Sequence, residues 1–564
     1  MRYNIKRAEA GGAARINGCE VTALKKLPLG IQNFKEIIAE DYIYVDKTQY
    51  IYYLINDAKY FFLSRPRRFG KSLLLDTIAE TFKGDKELFR GLWIYNSDYT
   101  FKKHPVIRLD MSNIASKDAD VLEESLSYYM KMCYEAEGFI YEESIASNTF
   151  MKLIQLLHNK YGERVVVLID EYDKPILDHM DDIGIASENR KVLRGFYGIL
   201  KSMDPYLRLT FITGVTKFTK TSVFSDLNNL NDITMQKAYA GICGIPIECI
   251  DGCFSEYLEQ LSYSGEFGQC DSIKNEVLSW YDGYSWDGIT RVLNPFSLLN
   301  FFKQGKFRSY WYTTGTPWFL IEMLKTKPES YLRLKNLKVT EEMLEVFDIE
   351  RIEIAPLLFQ TGYLTVKEVT KRIGSPIYLL DIPNFEVRDA FSMQIVSALT
   401  ESGEVQTGQA QMEIGAALES GDLHKMLEIL RSLFASIPYQ LHVKEEAYYH
   451  SIFYAVMTLL GFNMDVEVST SRGRVDAVLE LDDKIYVMEF KYEKCPEDTS
   501  GDIKRKLFET ALDDAMKQIA DRGYCDKYKG SSKAIYKAAF AFLGKDEIEM
   551  RVENATVYGK PGCE

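Results

Sequence analysis

Short apolar runs alternate with segments of helical periodicity through the first 215 residues of the chain. Four runs have the length and composition of buried strands: residues 59–64, 104–111, 164–170 and 207–213. Between them, residues 72–83 and 122–136 carry apolar side chains at the spacing of amphipathic helices. Strands that alternate with helices favour a parallel sheet with helices on both faces, so an α/β domain is predicted here.

The pattern changes after residue 240. Residues from about 243 to 372 are mostly helical in pattern and include the aromatic-rich segments WYDGYSWDG and YWYTTGTPWF. We expect a helical lid or small winged region over residues 241–400, with Trp286 and Trp311 serving in packing. The polar segment ESGEVQTGQAQ that follows has the composition of a linker, which we place at residues 401–419.

The end of the chain has a second mixed pattern. Two helices, two strands and a further helix are predicted in turn, over about residues 412–435, 445–460, 465–481, 484–492 and 503–522. This order predicts a second α/β domain over residues 420–564. With a loose lead-in at residues 1–25, the first α/β domain would occupy residues 26–240.

The composition is that of a folded, acidic protein. Hydrophobic residues make up 46% of the 564 positions, and the formal net charge is −14. The chain can therefore bury several cores, but contact with nucleic acid would need a local basic surface. The chain has neither the apolar stretch of a signal peptide near its start nor a window of membrane-spanning length, so we expect a cytoplasmic protein without a membrane partner.

A phosphate-binding loop is predicted directly after the first strand. Gly70, Lys71 and Ser72 follow residues 59–64 and open a leucine-rich helix. A P-loop at such a position places backbone N–H groups, a lysine and a hydroxyl around a triphosphate. Lys71 would then reach the β- and γ-phosphates of ATP, and Ser72 would hold Mg²⁺.

This loop departs from the usual GxxxxGK[ST] pattern, because Arg65 occupies the position of the first glycine. Arg67 and Arg68 follow, so the loop is strongly basic. Guanidinium groups bind phosphate oxygens well. We therefore expect the arginines of this loop to neutralise part of the phosphate charge, with Arg67 and Arg68 in the nucleotide site.

Acidic residues end the third apolar run. Residues 165–169 lead into Asp170 and Glu171, and an acid at the C-terminal end of a buried parallel strand faces the ligand crevice. Asp170 is predicted to hold Mg²⁺ through water, and Glu171 to orient the attacking water. Thr213 closes the fourth run and is predicted to lie beside the γ-phosphate as a polar sensor. Since another strand separates the two motifs in the sequence, the strands that precede Lys71 and Asp170 need not be neighbours.

Several of these motifs recur together in one known family. The segments KLPLGIQNFKEIIAEDYIYVDKT, RPRRFGKS, DEYDKPI, FITGVTKF, VFSDLNNLNDIT, NPFSLL and YWYTTGTP occur in this order. Over roughly residues 26–310 the chain thus resembles the AAA-ATPase-like family, which is found widely in bacteria. The resemblance implies an AAA-type P-loop domain that binds ATP through Walker A and Walker B motifs. It also makes the arginine at position 65 a habit of the family.

A second set of charged residues lies in the segment GRVDAVLELDDKIYVMEFKY. Asp476 lies on one predicted strand, and Glu489 and Lys491 lie two residues apart on the next, so their side chains share one face of that strand. A turn near residues 482–483 would bring the two carboxylates side by side, where they can hold Mg²⁺ next to a scissile phosphate. Lys491 would position the nucleophile or stabilise the pentavalent phosphate.

Two more residues are candidates for this site. Glu446 on the preceding helix would complete the metal shell, and Gln518 on the following helix would contact the substrate or the edge of the site. The candidate residues occur in the order Glu446, Asp476, Glu489-x-Lys491 and Gln518. This order resembles the PD-(D/E)XK nuclease superfamily over about residues 420–545. The resemblance implies an α/β restriction-endonuclease-like fold and a metal-dependent nuclease acting on nucleic acid, DNA more than RNA.

Three functions are consistent with the two sites. The first is a nuclease regulated by ATP binding or hydrolysis. The second is a nucleotide-switched binding or signalling protein whose nuclease-like domain recognises nucleic acid or protein without cleaving it. The third is a self-assembling AAA ring, that is, an ATP-dependent homo-oligomer. The acidic charge favours the second function, whereas the set of Glu446, Asp476 and Glu489 favours the first.

Overall fold

The computed structural model describes residues 14–16, 19–21, 24–217, 223–224, 227, 229–311, 334, 336–345, 353–371, 374–400, 404–420, 422–435, 453–458, 464–470, 473–480, 483–496, 499–528, 530–543 and 547–555. Within these residues the chain forms two five-stranded sheets, one in each terminal part, with a mainly helical region between them. The predicted mixed α/β class is confirmed. In the described part of the chain, no helix is long and apolar enough to cross a lipid bilayer.

The N-terminal part contains a hairpin and a parallel sheet. Strands β1 (Ala14–Ile16) and β2 (Cys19–Val21) pair antiparallel inside the segment that we expected to be a loose lead-in. The sheet is built from β3 (Tyr60–Ser64), β4 (Val106–Asp110), β5 (Val165–Asp170), β6 (Leu207–Gly214) and β7 (Asn231–Asp232). The helices are α1 (Phe34–Ala39), α2 (Thr48–Asp57), α3 (Lys71–Lys83), α4 (Ala119–Ala136), α5 (Ala146–Tyr161), α6 (Lys174–Leu177) and α7 (Ile183–Ser202).

The order of strands in this sheet is β4-β5-β6-β3-β7, and all pairs are parallel. The four predicted strands form close to their expected bounds. The strands that precede Lys71 and Asp170 are not neighbours in the sheet, which agrees with the sequence analysis. The strand that lies between them is β6, which carries Thr213, and not the strand formed by residues 104–111. Residues 104–111 supply the edge strand β4, whose side chains alternate between buried and half-buried, whereas β6 is buried at nearly every position.

The middle region combines helices with small antiparallel sheets. Its strands are β8 (Ile245–Pro246), β9 (Val292–Leu293), β10 (Leu337–Thr340), β11 (Thr365–Lys371) and β12 (Pro376–Asp381). Its helices are α8 (Glu248–Asp251), α9 (Ser255–Tyr263), α10 (Cys270–Tyr281), α11 (Pro295–Gln304), α12 (Glu341–Glu345), α13 (Ile354–Thr361) and α14 (Phe385–Thr400). Trp286 and Trp311 are 4% and 1% exposed, which confirms their role in packing.

The segment expected to be a linker is helical. Two helices, α15 (Glu404–Ser420) and α16 (Leu423–Ala435), occupy this part of the chain. Ile414 and Ala417 are buried, so α15 has an apolar contact face although its composition is mostly polar. Helix α16 contacts the C-terminal part directly, because Arg431 donates to the carbonyl oxygen of Ile548 at 2.9 Å and pairs with Glu549 at 2.6 Å.

The C-terminal sheet is mixed. Its strands β13 (Met464–Thr470), β14 (Gly473–Glu480), β15 (Lys484–Glu493), β16 (Ala534–Leu543) and β17 (Glu547–Ala555) lie in sequence order. Only β15 and β16 are parallel, with helix α17 (Gly501–Asp521) between them in the chain. Residues 465–481, predicted as one strand, form the hairpin of β13 and β14. Strands β16 and β17 were not predicted.

The two faces of this sheet pack against different helices. On β15, Ile485 and Val487 share an apolar cluster with α17. The alternate residue Phe490 packs against Phe453, in the helical residues 453–458, with ring centroids 5.1 Å apart. Strand periodicity therefore places Glu489 and Lys491 on the face that α17 covers.

Candidate nucleotide and metal sites

The loop between β3 and α3 has the backbone of an anion-binding turn. Arg68 and Gly70 have positive φ angles of 71° and 87°. Gly70 also caps the 13-residue helix α3 and offers no side-chain hydrogen bond to its first N–H groups. The positive end of the helix dipole lies at the same point. This loop is therefore suited to hold an anion.

Lys71 opens α3 with a buried ammonium group. The residue is 5% exposed, and Nζ donates to the carbonyl oxygens of Arg65 at 2.9 Å and Pro66 at 3.0 Å. Burial lowers the pKa of Lys71, whereas the negative charges of Asp170 and Glu171 raise it. The two acids thus stabilise the charged ammonium, which is the form that binds phosphate.

A cavity of about 420 Å³ is lined partly by this loop. Its polar lining contains residues predicted for the nucleotide site: Arg67, Arg68, Gly70, Lys71, Ser72 and Glu171. Its apolar lining includes Ile43, Val45, Phe254, Phe296 and Leu299. A cavity of this size with both charged and apolar walls is typical of a site for a small ligand that has a charged part and an apolar part. The donor set therefore fits a nucleoside triphosphate.

Arg65 takes no part in this lining. The residue is 0% exposed, its guanidinium donates to the carbonyl oxygen of Thr234 at 2.9 Å, and it stacks on Trp286 at 3.8 Å from the ring centroid. The expectation that the arginines of the loop neutralise phosphate charge is therefore wrong for Arg65, because its guanidinium is bound to buried carbonyl and aromatic groups. Arg67 and Arg68 do line the cavity.

Thr213 and Asp170 meet at the C-terminal ends of β6 and β5. The Thr213 hydroxyl donates to Asp170 Oδ1 at 2.7 Å, and the two residues are 0% and 3% exposed. Such a bond stabilises a buried carboxylate, so Thr213 fixes the orientation of Asp170. The role of Thr213 as a γ-phosphate sensor stays a prediction.

Glu171 lies next to Asp170 in an unusual backbone conformation. Its φ angle is 50°, in the left-handed region, which costs a residue other than glycine on the order of 1 kcal/mol. Burial raises the pKa of Glu171, although the charge of Lys71 opposes this change. A carboxylate with a raised pKa is a stronger base than an ordinary one.

Asp173 belongs to the same cluster but was not predicted. It is 1% exposed and accepts hydrogen bonds from the N–H of Val215 at 3.0 Å and from the N–H and hydroxyl of Thr216, both at 2.6 Å. Burial raises its pKa. Asp173 thus ties the segment after β5 to the segment after β6. The available signal was the third acid in the sequence DEYD.

Asp476 and Glu489 lie side by side in the C-terminal sheet. The register of β14 and β15 pairs Ala477 with Met488. Two residues beyond Met488, the N–H of Phe490 donates to Oδ2 of Asp476, the neighbour of Ala477, at 2.9 Å. The hairpin between the strands therefore brings the two carboxylates together, as the sequence predicted.

Lys491 and Gln518 both converge on Glu489. Lys491 Nζ lies 3.3 Å from Glu489 Oε1, and Gln518 Nε2 donates a hydrogen bond to the same oxygen. Glu489 is 1% exposed, and its second oxygen, Oε2, has no hydrogen-bond partner in the part of the chain that the structure describes. One oxygen is thus held in place while the other is left to accept a ligand.

The electrostatics of Glu489 fit a divalent cation. Burial, and to a smaller extent the charge of Asp476, raise its pKa to about 7 against the opposing effect of Lys491. A buried carboxylate oxygen without a partner is costly, and a bound Mg²⁺ would satisfy it. Glu446, the predicted third ligand, lies outside the described residues. Within the described residues, no group of three or more His, Cys, Asp or Glu side chains is arranged so that it could hold a metal ion.

Comparison with known proteins leads to the same two parts of the chain. Residues 28–224 match the family described as "Predicted AAA-ATPase", and residues 444–551 match the family described as "PD-(D/E)XK nuclease superfamily". A protein of Azotobacter chroococcum mcd 1, described as "Uncharacterized protein in vnfD 5'region", is 36% identical over 527 residues. The matched residues cover 92% of this chain and 96% of that relative.

The fold and the two sites define the class of protein. A parallel sheet is joined to a second sheet that carries an aspartate and a Glu-x-Lys motif, which is the combination of an AAA-ATPase-like domain with a nuclease-superfamily domain. The chain belongs to the AAA-ATPase-like family and carries a C-terminal PD-(D/E)XK nuclease superfamily domain. Both resemblances inferred from the sequence are confirmed.

Proposed function

We propose that this protein is an ATP-regulated, metal-dependent nuclease that cleaves phosphodiester bonds of DNA or RNA. The observation that carries the proposal is Glu489. This buried carboxylate lies beside Asp476, is held through one oxygen by Lys491 and Gln518, and keeps its other oxygen without a hydrogen-bond partner among the described residues. Most buried carboxylate oxygens are hydrogen-bonded. Asp282 and Glu386 also keep one oxygen without a partner among the described residues, but neither belongs to a Glu-x-Lys motif that lies beside an aspartate of the adjacent strand.

Asp476 and Glu489 are the proposed metal ligands, with Glu446 as a third. A bound Mg²⁺ would supply a Lewis acid that activates water and stabilises charge on the phosphate. Gln518 and Lys491 hold Glu489 in one rotamer, which preserves the geometry of the ligands. The ammonium of Lys491, 25% exposed, also offers a positive charge to the phosphate.

In the N-terminal domain, Lys71 and Ser72 are proposed to bind the phosphates and Mg²⁺, with Arg67 and Arg68 adding positive charge. Asp170, oriented by Thr213, would hold the hydrated Mg²⁺. Glu171 would orient the water that attacks the γ-phosphate, and its raised pKa supports this role as a base.

A series of contacts supports communication between the two sites. Trp311 Nε1 donates to the carbonyl oxygen of Arg67 in the P-loop at 3.2 Å, and the backbone N–H of Trp311 donates to Glu386 in α14 at 2.8 Å. Helix α14 is followed by α15 and α16, and α16 binds β17 through Arg431. A change in the loop on nucleotide binding would therefore reach the nuclease-like sheet through packed elements.

A nuclease assay with the full-length protein, Mg²⁺ and labelled DNA or RNA tests the proposal. We expect cleavage that Asp476→Ala or Glu489→Ala reduces by roughly 1,000-fold or more, as the loss of a metal ligand requires. Lys71→Ala should change the dependence of the rate on ATP. Glu493→Ala is the matched control, since Glu493 lies on the same strand as Glu489 but is exposed. Equal rates for the wild type and both ligand variants would overturn the proposal.

The second candidate is a nucleotide-switched protein that binds nucleic acid or protein without cleaving it. The net charge of −14 favours it, because an acidic chain is repelled by phosphate backbones. Binding that depends on Lys71, without cleavage in any metal, would support this candidate. Mass measurement with and without ATP tests the further proposal of an ATP-dependent homo-oligomer.

A further inference from the structure

Arg522 follows the last turn of α17, on the face that meets the carboxylate site. Its backbone N–H donates to the carbonyl oxygen of Gln518 at 3.2 Å. Residues four positions apart share one face of a helix, and the Gln518 side chain donates to Glu489. The turn that ends in Arg522 is therefore adjacent to the proposed metal ligands.

A buried tyrosine holds the guanidinium group of Arg522. Arg522 Nη1 donates to the hydroxyl oxygen of Tyr524 at 3.1 Å. Tyr524 is 0% exposed and belongs to the same apolar cluster as Val475, the residue before Asp476. Arg522 itself is exposed. Tyr524 thus holds one nitrogen of the guanidinium, while the other guanidinium donors have no hydrogen-bond partner among the described residues.

Arg522 forms no ion pair with any described residue, although two acids act on it. Its hydrogen bond to Tyr524 raises its pKa, and the negative charges of Glu489 and Asp476 raise it further. The guanidinium therefore lies within electrostatic range of both carboxylates. A planar cation with five donors and no acidic partner is well suited to bind a phosphate group.

We propose that Arg522 binds a non-bridging phosphate oxygen of the nucleic-acid strand at this site, an inference that rests on the proposed nuclease function. A phosphodiester that approaches Asp476 and Glu489 meets two negative charges. Lys491 is already bonded to Glu489, so its charge is partly used within the site. Arg522 supplies a second positive charge whose free donors match the geometry of a phosphate.

The test measures cleavage and binding of a short fluorescent DNA duplex and of its single-stranded form by the full-length protein. In Mg²⁺, Arg522→Ala should raise KM about tenfold, which corresponds to the loss of one charge-assisted hydrogen bond, with a smaller change in kcat. Arg522→Lys should recover part of this loss. Without metal, Arg522→Ala should make the negative slope of log affinity against log salt concentration shallower by about 1.

Arg505→Ala is the matched control, because Arg505 lies on the same helix, is 83% exposed and pairs with Glu509. This variant should leave KM and the salt slope unchanged. Tyr524→Phe should weaken binding less than Arg522→Ala, since it frees the guanidinium without removing it.

The outcomes separate the two proposals. Cleavage by the wild type with an unchanged KM and salt slope in Arg522→Ala would overturn the role of Arg522 and leave the nuclease standing. Binding that depends on Arg522, without cleavage by the wild type, would overturn the nuclease and support the phosphate contact. If the wild type does not cleave, and binding is either absent or the same for Arg522→Ala and Arg505→Ala, both proposals are overturned.

Discussion

The indole nitrogen of Trp311 lies 3.2 Å from the carbonyl oxygen of Arg67 and donates a hydrogen bond to it. The two residues are 244 positions apart in the chain. Glu386 holds Trp311 from the other side by accepting its backbone N–H at 2.8 Å. The middle region thus contacts the loop between β3 and α3 directly.

Trp311→Phe should weaken ATP binding while leaving the fold intact. The change keeps the buried ring but removes the hydrogen bond to Arg67, which contributes about 1 kcal/mol and corresponds to roughly fivefold in Kd. Titration of ATP into the full-length protein measures the change. Trp280→Phe is the control, because Trp280 stacks on Phe307 at 5.8 Å and does not line the nucleotide cavity. Equal effects of the two variants would contradict the prediction.

Thr213→Val should slow ATP hydrolysis by roughly 10- to 100-fold, because Asp170 loses a buried hydrogen bond to a charged group. Steady-state kcat for ATP measures this effect. Thr210→Val on the same strand is the control: Thr210 is equally buried, and its hydroxyl has no partner among the described residues. That variant should keep its rate and lose no stability. A normal rate for Thr213→Val would show that Asp170 does not need this bond.

Arg65→Gly restores the usual P-loop glycine but should destabilise the protein. The substitution removes buried hydrogen bonds and the stacking on Trp286, so the free energy of unfolding should fall by roughly 2–5 kcal/mol. Thermal unfolding measures the loss. Arg68→Ala should affect ligand binding and not stability, since Arg68 is exposed and lines the cavity beside the loop. It should weaken ATP binding with little change in Tm. Tighter ATP binding by a stable Arg65→Gly variant would refute this division of roles.

Glu386 should make stability depend on pH. Burial raises its pKa to about 7, despite hydrogen bonds from the backbone N–H of Trp311 and from Ser297. In the unfolded chain a glutamate titrates near 4.3. Between these values the folded protein binds a proton that the unfolded chain has lost. This contribution to stability is complete below about pH 4 and is lost as the pH rises through about 7.

The matched variant is Glu386→Gln, which cannot titrate. From pH 5 to pH 8, the free energy of unfolding of the wild type should fall by up to ~3 kcal/mol relative to that of this variant. Urea unfolding at several pH values measures the difference. Burial also raises the pKa of Asp173, but both proteins share this group, so its effect cancels. Parallel curves would show that Glu386 does not titrate in this range.

Much of each site could be predicted from the sequence because its signals are local. The strand before Gly70 and the helix after it are adjacent in the chain, so their chemistry can be interpreted without the fold. Glu489 and Lys491 share a face because strand side chains alternate. The helix in the segment predicted to be a linker was missed for a related reason: α15 is polar in composition, and only its contacts show that Ile414 lies in a core.

Other features depend on residues that meet across long stretches of chain. Local patterns contain no information on which strand lies between β3 and β5, because strand order is decided by how helices pack on the sheet. The burial of Arg65 depends on Trp286, and the contact of Gln518 with Glu489 depends on how α17 crosses its sheet.

The amino-acid sequence by itself determined the two classes of fold, the loop that holds Lys71 and the pairing of Asp476 with Glu489, because apolar periodicity and motif spacing act over a few residues. Only the tertiary structure decided which charged groups are buried, which are paired and which stay free. Burial and pairing arise from packing between distant segments, and that packing sets the electrostatic environment of each charged group.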